Sequence, residues 1–246
     1  MPLIAAAVCP HPPAIVPELA AGAAPELDEL RAACDAALAQ LIAADPDVIV
    51  AVGGGPRTER FEDGYRGSFA PWGVPVEVVG SAVPSPPRRT GLTAPPAPPR
   101  LPLSLLVAAW LLARQPPRRH RLAAVAVDAP ASTNAGTGAE LAGMPQRLAL
   151  LVLGDGSACR GTAAPGYDDP RAEAYDRAVA AALAGADTRT LLGLDQALSD
   201  RLRVAGRAPW QVLAGAAAAA GGFTGRLWHD SAPYGVAYLV ATWSRA

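Results

Sequence analysis

Four short apolar runs most constrain what this chain can fold into: Leu3–Val8, Val48–Val52, Leu122–Val127 and Leu148–Leu153. The first is bounded by prolines and reads as a strand buried on both faces, the pattern of a parallel sheet. The other three read as further strands. Stretches with helical spacing or helix-start signals lie between them. Alternating strands and helices predict an α/β fold, with a mainly parallel or mixed central sheet flanked by helices. The chain shows no internal repeat and no convincing linker, so a single domain over residues 1–246 is expected.

The helices follow from local signals. Pro25 can occupy a first helical position, with Glu26, Asp28 and Glu29 in the first turn. Leu27, Leu30, Cys34, Leu38, Leu41 and Ile42 then recur at helical spacing, predicting a helix to about Ala44. Leu103–Arg114 is an apolar helix, and Ser132–Gly138 opens another before Pro145. Asp168-Asp169-Pro170 starts a helix that runs to about Leu183, with Glu173 and Arg177 paired one turn apart. Thr190–Val204 and Trp210–Ala220 are two more, broken at Gly206 and Pro209. Phe223–Trp228 and Val236–Trp243 predict a closing hairpin, which would make the sheet mixed. Pro12–Ala24 and Arg57–Pro75 read as loops, Val76–Val79 as a short strand, and the proline-rich stretch Pro84–Pro102 as an extended surface loop.

Composition excludes several function classes. With Lys and Arg against Asp and Glu at 21 to 22, the net charge is −1, and the pI is about 6.3. That gives no electrostatic case for nucleic acid or an acidic membrane surface. The chain is 51% hydrophobic, enough for a substantial core, and every basic residue is arginine. Its most apolar run, Leu103–Ala113, falls short of the ~20 residues that span a bilayer. Cys9, Cys34 and Cys159 form neither a disulfide framework nor a CxxC metal pattern. A reducing cytoplasm is expected.

The candidate functional residues cluster at strand ends, where open α/β sheets bind ligands. His11 follows the first strand, in Cys9-Pro10-His11-Pro12-Pro13, on a backbone stiffened by proline. Gly53-Gly54-Gly55-Pro56 follows the second strand; it reads as a tight turn, or as a ligand cradle formed by the three glycines. Gly154-Asp155-Gly156-Ser157 follows the Leu148–Leu153 strand and brings Asp155 and Ser157. His229 and Asp230 follow Phe223–Trp228. His120 sits among Arg118, Arg119 and Arg121 at a solvated connection, a poor setting for a metal ligand.

These residues, with Val16-Pro17-Glu18, Ala164-Pro165-Gly166-Tyr167 and Ala232-Pro233-Tyr234-Gly235-Val236, carry a resemblance. The chain resembles the class III extradiol dioxygenases of the subunit-B type, and more closely the short subunit-B-like proteins of high-GC actinobacteria. The resemblance implies a non-haem iron(II) site of two histidines and one carboxylate. It matches His11 to the first iron histidine. The second would stand in the turn that here reads Val52-Gly53-Gly54-Gly55-Pro56, and the acid–base histidine where Ala158 stands. A further active-site histidine would precede Pro102-Leu103, where Arg100 and Leu101 stand. Asp230 and Glu140 are the kind of residue the carboxylate ligand requires.

Three readings follow. The resemblance first implies a divergent, non-catalytic or altered binding protein. It would take a small molecule, aromatic if the likeness carries over, or a peptide through His11, Asp155, Ser157 and the glycine turn. The second is a ring-cleaving dioxygenase with a rebuilt site for iron(II) or another divalent metal. Its ligands would be His11, His229 and Asp230, or Cys9, which shares a strand face with His11. The third is a hydrolase using Ser157 with His11 or His229 as base, although the sequence lacks a GxSxG elbow. The resemblance also implies a homo-oligomer.

Overall fold

The computed structural model describes residues 3–61, 65–79 and 100–246. Pro84–Pro99, the bulk of the proline-rich stretch, lies outside them. In chain order the elements are β1 (Leu3–Cys9), α1 (Pro17–Ala20), α2 (Asp28–Ala43), β2 (Val48–Gly55), β3 (Glu59–Phe61), β4 (Arg66–Ser68), β5 (Glu77–Val79) and α3 (Leu103–Ala113). There follow β6 (His120–Ala126), α4 (Ala131–Ala142), β7 (Leu148–Leu153), α5 (Ala172–Ala184), α6 (Thr188–Leu192), α7 (Gln196–Arg201), α8 (Arg207–Ala220), β8 (Phe223–Ser231) and β9 (Tyr238–Arg245).

Among the described residues, seven strands form one mixed sheet in the order β3-β6-β2-β7-β1-β9-β8, and β4 and β5 form a separate hairpin. The central four, β6, β2, β7 and β1, are mutually parallel. Antiparallel β3 flanks one side, and the expected β8–β9 hairpin flanks the other. β7 lies in the middle, and all six of its residues are fully buried. Such a strand needs cover on both faces, and its neighbours alternate accordingly. Ala5, Ala7, Cys9, Ile49 and Leu151 face a core with α2 and α3, whereas Ala6, Val8, Val50 and Val152 face one with α4, α5 and α8.

The sequence misplaces some boundaries for local reasons. Pro12–Ala24 is not a plain loop: it holds α1 and parts of two 3-10 turns. Pro25 lies inside the second turn, so α2 begins only at Asp28. The expected helix over Thr190–Val204 is two short ones. Asp187 caps the first through the amides of Arg189 and Thr190, and Asp195 caps the second through that of Leu198 at 2.6 Å. Pro209 does not break α8 but sits in its first turn, where it costs no hydrogen bond.

α4 and α8 cross at two glycines. A Cβ on Gly138 would overlap the Val212 carbonyl oxygen and lie 2.6 Å from the Ala216 amide nitrogen. A Cβ on Gly215 would lie 2.5 Å from Ala135 Cα. Backbone cannot yield as a flexible side chain does, so a single methyl forces the helices apart. Gly136, also in α4, has open space where its Cβ would be. Gly215→Ala should therefore destabilise the fold by about 1–3 kcal/mol through overpacking. Gly136→Ala should stabilise it by about 0.5–1 kcal/mol through helix propensity. Chemical denaturation of the two variants beside the parent measures both.

Candidate functional site

The chain leaves β1 for α2 on one face of the sheet and leaves β7 for α5 on the other. These strands are neighbours, so their departing loops diverge at the carboxyl ends, the place where open α/β sheets bind ligands. Cys9 and Leu153 are the last register pair, and the Gly154 amide donates to the Cys9 carbonyl at 3.0 Å. Two residues beyond each strand stand His11 and Asp155. The His11 amide donates to Asp155 Oδ1 at 2.7 Å, and the His11 Nδ1 lies 3.6 Å from the same oxygen. His11 is 9% exposed, and its Nδ1 is buried with no hydrogen-bond partner among the described residues. An orphaned buried ring nitrogen is costly unless something else satisfies it.

The surroundings are closely packed. Cys9 and Cys34 meet on the α2 face, where the Cys34 thiol is pushed well up by its hydrogen bond with Cys9 and then by burial. The buried Tyr238 phenol is also raised, first by desolvation and then by the Asp155 charge. No sequence motif marked Tyr238; it reaches the site only because β9 pairs with β1.

Gly53, Gly54 and Gly55 are not a turn. β2 runs through all three, in register with Ala124, Val125 and Ala126 of β6. A Cβ on Gly53 would lie 2.7 Å from Ser104 Cβ, and Ser104 Oγ donates to the Gly54 carbonyl at 2.7 Å. Glycine is needed here so that the first turn of α3 can approach the strand. The triplet is laid down as sheet rather than fanned around a ligand.

Ser157 is near Asp155 in sequence but engaged elsewhere. It is fully buried; its amide donates to Asp176 Oδ1 at 2.8 Å and its hydroxyl to Asp176 Oδ2 at 2.6 Å. Its hydroxyl is therefore committed to α5, and neither His11 nor His229 hydrogen-bonds it. Asp176 was not legible beforehand, because nothing local links a helix carboxylate to a serine 19 residues earlier.

His229 and Asp230 do not join His11. They lie in β8, separated from β1 by β9, so about 10 Å of sheet intervenes. They also point to opposite faces, as adjacent strand residues do. His229 is opposite Val240, of the α2–α3 core, and Asp230 is opposite Leu239, of the other. His229 Nε2 is 2.7 Å from Ser231 Oγ, and burial lowers its pKa. Glu140 is on α4, exposed and 3.4 Å from Arg60. Among the described residues no three His, Cys, Asp or Glu side chains are grouped to hold a metal ion. The ligand set His11, His229 and Asp230 is thus not assembled. His120, expected at a solvated connection, opens β6 and bonds Tyr65 Oη at 2.7 Å through Nε2.

Asp176 offers a test of this reading of Ser157. Burial raises its pKa, two hydrogen bonds from Ser157 and the Arg160 charge oppose the shift, and Asp230 adds to it. A raised folded pKa means that the folded chain holds the proton more tightly than the unfolded one. Stability from this group is complete below the ordinary carboxylate pKa and is lost as pH rises through the folded value. Asp176→Asn removes the ionisation and can still pair with Ser157. Relative to the parent, the variant should gain stability as pH rises from about 4 to 7, as read from Tm at each pH.

No family model matches the chain, and no curated protein matches it. Among solved structures it is similar to the crystal structure of an uncharacterized protein, JW3007, from Escherichia coli K12. The TM-score is 0.55 at 13% identity, over 98% of this chain and 99% of that one. That likeness extends to the fold. No helix among the described residues is long and apolar enough to cross a membrane.

Proposed function

We propose that this protein is a divergent relative of the class III extradiol dioxygenases that binds a small molecule at the β1–β7 crevice and does not hold iron as those enzymes do. The observation that carries this reading is His11, set beside Asp155 with an orphaned Nδ1. Asp155 holds His11 through its backbone amide and lies beside the buried Nδ1, so a ligand at the strand ends would meet the part of the ring that is still exposed.

The residues present do not fit the iron site that the resemblance implies. A facial triad needs two histidines and a carboxylate converging on one point. The second histidine's place is taken by glycines of β2 packed under Ser104, and Ala158 offers no base. His11 and Asp155 supply at most two of the three groups. The dioxygenase alternative would need a third ligand that the described residues do not bring there.

The experiment is anaerobic loading with iron(II), desalting and metal analysis of the parent and of His11→Ala. Both should carry far less than one iron per chain. In parallel, catechol and 4-methylcatechol, neutral rings, are screened by thermal shift. At least one should raise the parent Tm by an amount lost in His11→Ala, since binding stabilises by mass action. Stoichiometric iron that disappears with His11 would overturn the reading in favour of a rebuilt metal site.

A further inference from the structure

The β4–β5 hairpin stands apart from the main sheet and, with the start of α3, bounds a cavity of about 500 Å³. That volume is within the range of small-molecule sites. Its lining includes neither His11 nor Asp155. The floor is apolar: Gly67 lies so close to Leu106 that a Cβ there would overlap it, and Leu101 is beside them. One wall is Trp72, 38% exposed. Its indole is held rather than free, edge-on to the fully buried Phe69 at 6.1 Å between centroids. The Trp72 amide donates to the Phe69 carbonyl at 2.8 Å, fixing the turn that carries it.

Among the described residues, two of the three charged groups in the lining are cationic. Arg66 and Arg100 both face this cavity, and among the described residues neither lies within ion-pair distance of a carboxylate. Among the described residues some surface arginines are paired, Arg57 with Glu59 and Arg114 with Asp35 for instance, while others, such as Arg121 and Arg201, are not; what sets Arg66 and Arg100 apart is that both line one cavity. Among the described residues Glu77 is the one acidic residue in the lining, beside two arginines. A held aromatic face over an apolar floor, beside two guanidinium groups, matches a flat ring bearing an anion. Guanidinium forks suit a carboxylate bidentately, and Glu77 disfavours a dianion.

We propose that this cavity is a second ligand site, for an aromatic carboxylate, with the ring against Trp72 and the carboxylate on Arg66 and Arg100. It is independent of the His11 crevice. The test is calorimetric titration with 2-naphthoate, alongside the neutral 2-naphthalenemethanol and phenyl phosphate. Saturable one-to-one binding of 2-naphthoate is expected, with the alcohol at least about tenfold weaker. Arg66→Gln and Arg100→Gln should each weaken it about tenfold, the scale of a charge-assisted hydrogen bond. Glu77→Gln should tighten it, a gain that misfolding cannot mimic. His11→Ala should leave it unchanged, which separates this site from the crevice. Absence of saturable binding, equal affinity in the arginine variants, loss of binding in His11→Ala, or tighter binding of phenyl phosphate would each overturn the assignment.

Discussion

β7 has β2 on one side and β1 on the other, and no residue in it reaches solvent. Its peptide groups are satisfied only if a strand pairs with it on each side, and its side chains only if helices cover both faces. That demand sends the chain to one face after β1 and β2 and to the other after β6 and β7. The divergence of the loops at the carboxyl ends of β1 and β7 is a consequence of this division, because loops leaving adjacent strands in opposite directions separate there.

His11 and Asp155 inherit their position from that geometry. Each is two residues past the end of a parallel strand, and the two strands end in register. The contact between the His11 amide and the Asp155 carboxylate then fixes the pair. The segment after Asp155 serves a different purpose. Ser157 and Asp176 tie the loop to α5, and the Gly154 amide ties it to β1, so the loop that presents Asp155 is anchored on both sides. Asp155 is thus held close to His11 by the protein's own contacts.

Much of the fold was legible. Leu148–Leu153 is the strand expected, and Asp168-Asp169-Pro170 announces α5, because runs of buried apolar residues and acidic helix starts act locally. The glycine triplet misled for an instructive reason. Glycine at a strand end signals either a turn or a close approach, and the sequence does not contain the approaching element: Ser104 is 50 residues away. His229 and Asp230 misled in a related way. Adjacency in sequence suggested joint action, whereas strand pleating turns one to each face, and the bulge between Leu227 and His229 decides which faces which.

By itself the sequence determined the α/β class, the central strands and the placement of His11 and Asp155 at strand ends, since each depends on residue types within a few positions. Strand order was left to the tertiary structure. It set β9 between β1 and β8, so His229 and Asp230 fell away from His11 while Tyr238 came close enough to feel the Asp155 charge. It also brought Arg66, Trp72 and Arg100 around one cavity, although Arg100 is 28 residues beyond Trp72 in the chain. Pairing partners and packing distances are properties of the whole sheet, and no local pattern of side chains encodes them.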